Sequence, residues 1–274
     1  MALFIASLNS GSNGNCYYIG SNTEAVLVDV GISCRETEIR MRQLGLSMKT
    51  VKAIFVSHEH TDHIKGVSTL ANKYKLPIYI TGETARGLRL IRQLSIPFTA
   101  NEPVNIGGLT IVPFTKHHDA ADPHSFIISH EGVTVGVFTD IGNACTQVTR
   151  YFKQCHAVFL EANYDEELLE KGGYPVYLKN RIRSDEGHLS NKQALQLFND
   201  HRPGFMTHVL LSHLSKDNND PQLVKELFTA AANGVEIAIA SRYEPTPVYM
   251  IVLPGEKETA QKLLAKPMQM NMFE

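Results

Sequence analysis

The sequence predicts an α/β protein in which two β-sheets stack face to face with helices on their outer sides. Three observations predict it. Short apolar, β-branched runs closed by Gly, Asn or Asp turns come in groups at the start of each half. Segments with helical spacing are interleaved later in each half, the order expected when helices cover two sheets packed on each other. The chain has 274 residues, 43% of them apolar and 20% charged, which suffices for one well-filled core. A single domain is expected over residues 1–266, followed by a short tail, residues 267–274.

In order, "ALFIASL", "CYYIG" and "AVLVDVG" read as three opening strands, separated by the turns "NSGSNGN" and "SNTE". Ser33 with Glu36 is a capping-box pattern opening a helix that runs through Leu44. "AIFVS" is a buried-type strand, and "IKGVSTLANKY" has helical spacing. Strand "PIYI", helix "GETARGLRLIRQL" and strands "LTIVPFT", "SFIIS" and "VTVGVFTD" follow, with a hairpin turn at "SHEGVT". The second half offers helix "TQVTRYFKQC", strand "AVFLEA", helical stretches through Leu178, helix "SNKQALQLFND" capped by Ser190, and strand "THVLLSH". Helix "PQLVKELFTAAA", strand "VEIAIA" and helix "EKETAQKLL" close the chain.

Composition excludes several classes. A formal charge of −2 provides no global basic field, so a nucleic-acid partner has to be held by a local patch. No stretch approaches the ~18 apolar residues that span a bilayer. The start lacks the charged n-region and long apolar h-region of a secretion signal. No membrane partner is expected, and the location is expected to be cytoplasmic. Cys16, Cys34, Cys145 and Cys155 are scattered without metal-type pairing and read as reduced thiols. The twelve histidines are the compositional oddity.

Polar residues recur where strands end: Asp29, His58, the pair His117 and His118, Asp140, Glu161 and His213. If those ends lie along one edge, their side chains converge on rigid supports. In "HEHTDH", His58 and His60 project to one side of an extended turn and can grip one metal ion. Asp62 and His63 then point toward a second. A donor set of nitrogen and oxygen without Cys suits Zn²⁺ or Mn²⁺.

The run His58, His60, Asp62, His63, preceded by Asp29 and followed by His118, Asp140 and His213, resembles the metallo-β-lactamase superfamily over essentially the whole chain. The resemblance implies a four-layer αββα sandwich, two stacked mixed sheets flanked by helices. It also implies two divalent metal ions, one held by His58, His60 and His118 and the other by Asp62, His63 and His213. Asp140 would bridge them, and Asp29 would brace the metal loop without ligating. His117 and His118 compete for one role; "HDA" beginning at His118 favours the latter.

Asp140 at the bridging position and His63 closing the motif look like the phosphodiesterase and glyoxalase-type branches. "EANYDEELLEKGGYPVYLKNRIRSDEGHLSN", "SGSNGNCYYIG", "HDA" and "LLSHLSKDNN" resemble the YycJ (WalJ) branch more closely. Tyr164 and His124 depart from that branch, where a histidine and an apolar or small residue are usual. The resemblance implies a 5′-to-3′ DNA exonuclease using a metal-bridging hydroxide, a role in DNA repair, and DNA in preference to RNA. The interval from Asp140 to His213 leaves little room for a cap domain, so an open site is expected.

Two divalent ions about 3.5–4 Å apart activate water and steady the charge that develops on attack. The expected catalytic residues are Asp62 and Asp140. His188 is expected to contact the scissile phosphate or protonate the leaving oxygen, with Glu161 orienting it. Lys179, Arg181 and Arg183 join His188 as expected substrate contacts, because a phosphate backbone is positioned by such cations. The same metal site would serve an acyl hydrolase acting on thioesters or lactones, and a non-catalytic DNA or clamp adaptor is the alternative of a different class. "NSGSNGN" reads either as an anion-binding nest or as a plain strand connection. In the tail, Gln269, Met272 and Phe273 resemble the short peptide by which bacterial DNA enzymes dock on the sliding clamp.

Overall fold

The computed structural model describes residues 2–88, 92–253 and 255. The chain begins with an antiparallel meander of β1 (Ala2–Asn9), β2 (Cys16–Gly20) and β3 (Ala25–Val28). Helix α1 (Cys34–Gln43) carries the chain back, so that β4 (Val51–Phe55) pairs parallel to β3. Ser33 caps α1 by accepting from the Glu36 amide at 3.1 Å. Then come α2 (Thr61–Ile64), α3 (Val67–Tyr74), β5 (Ile78–Tyr79), α4 (Gly82–Ala85), a 3₁₀ turn at Arg92–Leu94, and β6 (Ser95–Ile96).

The second half repeats the plan. Strands β7 (Val104–Ile106), β8 (Leu109–Thr115), β9 (His124–His130) and β10 (Val133–Phe138) run antiparallel in succession. They are followed by α5 (Thr146–Phe152), β11 (Ala157–Glu161), α6 (Glu166–Lys171), α7 (Val176–Ile182) and α8 (Asn191–His201). Strand β12 (His208–Ser212), helix α9 (Pro221–Ala231) and β13 (Glu236–Ile239) complete the second sheet, and β14 (Tyr249–Val252) returns to pair with β1 in the first. Among the described residues this makes two seven-stranded sheets, ordered β14-β1-β2-β3-β4-β5-β6 and β13-β12-β11-β10-β9-β8-β7.

Strand alternation builds the layers. Along β11, Ala157 and Phe159 enter the core between the sheets, while Val158 and Leu160 face outward. The inter-sheet core joins Leu3, Tyr17, Val26 and Phe55 of one sheet to Phe126, Val135, Phe159 and Leu210 of the other. A second core lies under α5, α8 and α9, and a third under α1 and α3. The expected four-layer αββα sandwich is therefore the observed one. Each fully buried Leu or Phe contributes about 1.5–3 kcal/mol.

Strand direction positions the site. Strands β3 and β4 run parallel, so Asp29 and His58 leave the first sheet at one edge. Strands β10, β11 and β12 are also parallel, so Asp140, Glu161 and His213 leave the second sheet together. Strand β8 is antiparallel to β9, which is antiparallel to β10, and this puts His118 at the same edge.

Some expectations need correction. The helix expected over "GETARGLRLIRQL" stops after Ala85, because Arg86 is extended and Gly87 takes a left-handed φ of 83°. Strands β6, β7 and β14 are additional to the expected elements; β6 has two residues and β7 three, too few for an alternation signal. The expected hairpin forms at Glu131 and Gly132, both with positive φ. The expected closing helix "EKETAQKLL" and the tail bearing Gln269, Met272 and Phe273 lie outside the described residues. Among those described, no helix is long and apolar enough to cross a membrane.

Candidate metal centre

Three residues of the shared edge sit in left-handed backbone conformations: Asp29 (φ 59°), Asp140 (φ 55°) and His213 (φ 56°). For L-residues this costs about 1–2 kcal/mol each. Each sits just past the end of a strand.

Asp29 organises the first loop. Its Oδ1 accepts from the Ser57 amide and its Oδ2 from the Ser57 hydroxyl, both at 2.8 Å, and Oδ2 lies 2.7 Å from His63 Nδ1. With both oxygens committed to the loop, Asp29 braces it from below. Gly31 allows the close approach this requires, since a Cβ there would stand 1.6 Å from the Asp62 carbonyl oxygen. The loop 10–15 closes the other side: the Asn15 amide donates to the Asp62 carbonyl at 2.7 Å, and its Nδ2 is 3.2 Å from Asp62 Oδ2.

Ligand-type atoms gather in four overlapping groups among the described residues, and two of these are separate trios. His58, His60 and His118 form one; Asp62, His63 and His213 form the other; within each, the atoms lie within 4.8 Å of one another. Asp140 stands between them, with Oδ2 3.2 Å from His63 Nε2 and Oδ1 3.8 Å from His118 Nε2 and 3.5 Å from His213 Nδ1. All seven residues named from the sequence as ligands are thus brought together. His117 is not: its ring is at the surface, held by the Asn143 amide at 2.9 Å.

The polar atoms of this cluster fit a cation. His118 Nε2, His213 Nε2 and Asp140 Oδ2 are buried and make no hydrogen bond. Each of the four buried imidazoles has one nitrogen anchored in the protein and turns the other inward. His118 Nδ1 is 3.1 Å from the Gly187 carbonyl, His213 Nδ1 2.9 Å from Glu161 Oε1, His58 Nδ1 2.8 Å from Ser57 Oγ, and His63 Nδ1 2.7 Å from Asp29. Anchoring of this kind fixes the tautomer and the ring plane of a metal-ligating histidine. Burial holds His58 well below the ordinary imidazole range and His118 down at about 4, the latter against the pull of Asp140. Their inward nitrogens therefore carry lone pairs at neutral pH. Burial also disfavours charge on His63, but Asp140 and Asp29 outweigh it and lift the ring to about 10. His213 is raised in the same way, chiefly by Asp140. These His and Asp clusters are suited to binding divalent metal ions.

His188 and Glu161 adjoin the second trio. Glu161 is fully buried, with Oε1 2.8 Å from His188 Nδ1 and 2.9 Å from His213 Nδ1. Its Oε2 accepts from the Ile141 and Leu189 amides at 2.8 and 3.2 Å. Burial works against ionisation, but His188 and His213 overcome it and hold the carboxyl at about 2. The His188 ring lies 5.2 Å from both His118 and His213, and its side chain is 21% exposed. Ser190, just beyond, caps α8 with a full capping box to Gln193.

The three basic residues expected to act together are divided. Arg181 Nε reaches Asp119 Oδ2 at 2.5 Å, and Asp119 Oδ1 is 3.4 Å from His118 Nε2. Arg183 pairs instead with Glu170 at 2.9 Å, and Lys179 donates to the Glu170 carbonyl. Only Arg181 of the three contacts the site. Four further residues belong to its surroundings without having been singled out: Asn15, Ser57, Asp119 and Lys116. Lys116 is buried and donates to the Thr139 carbonyl at 2.7 Å, tying the loop of His118 to that of Asp140. The turn "NSGSNGN" was a signal for Asn15 and "HDA" for Asp119; Ser57 and Lys116 had none. Tyr164 is buried behind the site, where its backbone carbonyl accepts from the Asn191 amide at 2.8 Å. His124 is likewise buried, its amide donating to the Ser57 carbonyl at 3.0 Å.

Residues 24–213 match the family described as the beta-lactamase superfamily domain. The chain is 35% identical over 230 residues to exodeoxyribonuclease YycJ of Bacillus anthracis, covering 82% of this chain and 87% of that protein. It is 30% identical over 227 residues to exodeoxyribonuclease WalJ of Streptococcus pneumoniae, covering 80% and 83%. Among solved structures it resembles the metallo-beta-lactamase fold protein YhfI from Bacillus subtilis, with a TM-score of 0.68, 18% identity, and coverage of 91% of this chain and 100% of that one. With the two trios, the shared Asp140 and the stacked sheets, these likenesses place the chain in the metallo-β-lactamase superfamily, in the branch of the YycJ and WalJ proteins.

Proposed function

We propose that the chain is a dinuclear metal-dependent phosphodiesterase, a cytoplasmic 5′-to-3′ DNA exonuclease acting in DNA repair. The observation that carries this reading is the pair of ligand trios sharing Asp140, in a chain 35% identical to a protein named an exodeoxyribonuclease. His58, His60 and His118 would hold one ion and Asp62, His63 and His213 the other. When bound, the two ions, Zn²⁺ or Mn²⁺, supply Lewis acidity that activates water and offsets charge on the phosphate.

The chain's own residues do the rest. Asp140 and Asp62 hold the two halves of the site at fixed separation. His188, oriented through Nδ1 by Glu161, presents Nε2 to the scissile phosphate and delivers the proton that the leaving oxygen needs. Arg181 adds a positive charge at the rim, where a phosphate arrives.

The test uses end-labelled single- and double-stranded DNA and RNA, incubated with Mn²⁺- or Zn²⁺-loaded protein, with products resolved by length. Stepwise loss from 5′ ends of DNA is expected, abolished in Asp140→Asn. Hydrolysis of thioesters or lactones with intact nucleic acid would replace this reading with an acyl hydrolase. Tight DNA binding without cleavage under either metal would replace it with an adaptor.

A further inference from the structure

Helix α7 has no buried residue. Its first turn presents Val176 and Tyr177, 72% and 75% exposed, side by side. A lone exposed tyrosine is ordinary on a protein surface. This one stands on a helix whose other end abuts the metal centre: the Ile182 carbonyl accepts from the His188 amide at 2.9 Å. Tyr177 and Arg181 are four residues apart, so they share a face, separated by about 6 Å along the axis. Arg181 is the residue that meets Asp119 beside His118. Lys179 and Arg183 occupy the opposite face, against Glu170. The exposed ring therefore lies on the site side of α7, one turn out from the Arg181 guanidinium.

The charge of this face suits a polyanion. Helix α7 contains no acidic residue. Among the described residues, Arg181 makes its hydrogen bond to Asp119 through Nε alone, which leaves both Nη groups to meet a phosphate. A phenol ring beside a phosphate-binding guanidinium is the combination that tracks a single strand, because every base has a π-face.

We propose that Tyr177 is a stacking platform for an unpaired nucleobase adjoining the phosphate at the metal centre, with Arg181 holding the intervening backbone. The inference rests on the phosphodiesterase reading and adds that one nucleotide beside the cleaved phosphate is unpaired in the site and held without base preference.

The experiment compares metal-loaded wild type with Tyr177→Ala, Tyr177→Phe and Tyr177→Trp on single-stranded oligonucleotides carrying one abasic nucleotide, walked along from the cleaved end. In the wild type, kcat/KM is expected to fall roughly 5- to 100-fold at one abasic position, the range of one lost base stack. Tyr177→Ala loses the same factor on the intact strand and no longer responds to that position; Phe and Trp retain the response. If Tyr177→Ala cleaves intact DNA as fast as wild type with the same abasic profile, the platform is overturned while the phosphodiesterase reading stands. If that unchanged profile comes with a lower sedimentation coefficient, the face binds a second copy of the chain and the proposal is equally overturned. Wild-type protein that cuts no nucleic acid overturns the reading beneath it.

Discussion

Glu161→Gln isolates the role of one buried carboxylate. In the native site four donors converge on it: the Ile141 and Leu189 amides on Oε2, and His188 and His213 on Oε1. A glutamine has the same shape but offers one oxygen and one NH₂. The two backbone amides cannot change character, so the amide oxygen turns to them and the NH₂ faces the two rings. His213 Nδ1 must then accept, so when the ring gives up its extra proton to bind metal the remaining one stays on Nε2, the atom that faces Asp62 Oδ2 at 3.5 Å. Two charge-assisted hydrogen bonds are lost at about 1.5–3 kcal/mol each, so destabilisation of about 3–6 kcal/mol is expected. For a domain of this size that is a fall in Tm of roughly 10 °C. Protonation of Nε2 also removes a ligand, and the loss in affinity at the second trio should be about 10- to 100-fold. Titration with Zn²⁺ against a chromophoric chelator should separate two binding steps in the wild type, one for each trio. In the variant only the weaker step should shift. Two unshifted steps, together with an unchanged Tm, would refute the claim that Glu161 sets the His213 tautomer.

Asn15→Ala strips the acceptor from the Gly11 amide and the Tyr17 hydroxyl, at 3.0 and 3.1 Å, and frees Asp62; calorimetry should show a loss of about 2–3 kcal/mol, with weaker binding of the second ion. Gly31→Ala forces a methyl onto the Asp62 carbonyl and should cost at least ~2–3 kcal/mol and reduce the metal stoichiometry measured by elemental analysis. Adding Zn²⁺ at one hundred times its dissociation constant should stabilise the native state by about 2.7 kcal/mol per site, read as a rise in Tm that EDTA reverses. Metal binding at neutral pH should release about two protons, from His63 and His213, measurable by calorimetry in buffers of different ionisation enthalpy.

What the sequence disclosed follows from the range of each interaction. "HEHTDH" is legible because its ligands are local, and Asp140 and His213 because each ends a strand whose apolar pattern is unmistakable. Ser57 and Lys116 were hidden because their importance comes from contacts with residues distant along the chain, Ser57 with Asp29 and Lys116 with Thr139. The basic residues of α7 show a different failure. Lys179, Arg181 and Arg183 look like a cluster in one dimension, but a helix turns about 100° per residue, so alternate residues face opposite ways. Lys179 and Arg183 therefore share Glu170 while Arg181 turns to Asp119. The helix expected across Gly87 failed for a local reason, since the left-handed φ adopted there does not continue a helix.

Charge balance ties the two halves of the site together. Asp29, Asp62, Asp140 and Glu161 lie within one cluster, three of them buried, and Lys116 is its one buried ammonium among the described residues. Unpaired buried carboxylates cost several kcal/mol each, so the metal-free protein needs other positive charge. It takes it as protons on His63 and His213, the rings beside the carboxylates, while His58 and His118 stay neutral near Lys116. In the second trio His63 and His213 thus carry protons, where His58 and His118 of the first offer lone pairs. For His63 the sign is fixed: its folded value of about 10 exceeds the ordinary 6.5, so its stabilising charge is complete below pH 6.5 and is lost as pH rises through 10. A cation at the second trio must displace those protons and binds more tightly as pH rises over that window. A cation at the first displaces none from His118 above about pH 4, and none from His58, whose ring is kept neutral by burial well below the ordinary imidazole range. The two sites should therefore load at different pH, the His58–His60–His118 trio first, and metal content measured from pH 5 to 9 should climb from one ion per chain to two. Simultaneous loading at every pH would show that protons do not occupy the second trio in this way.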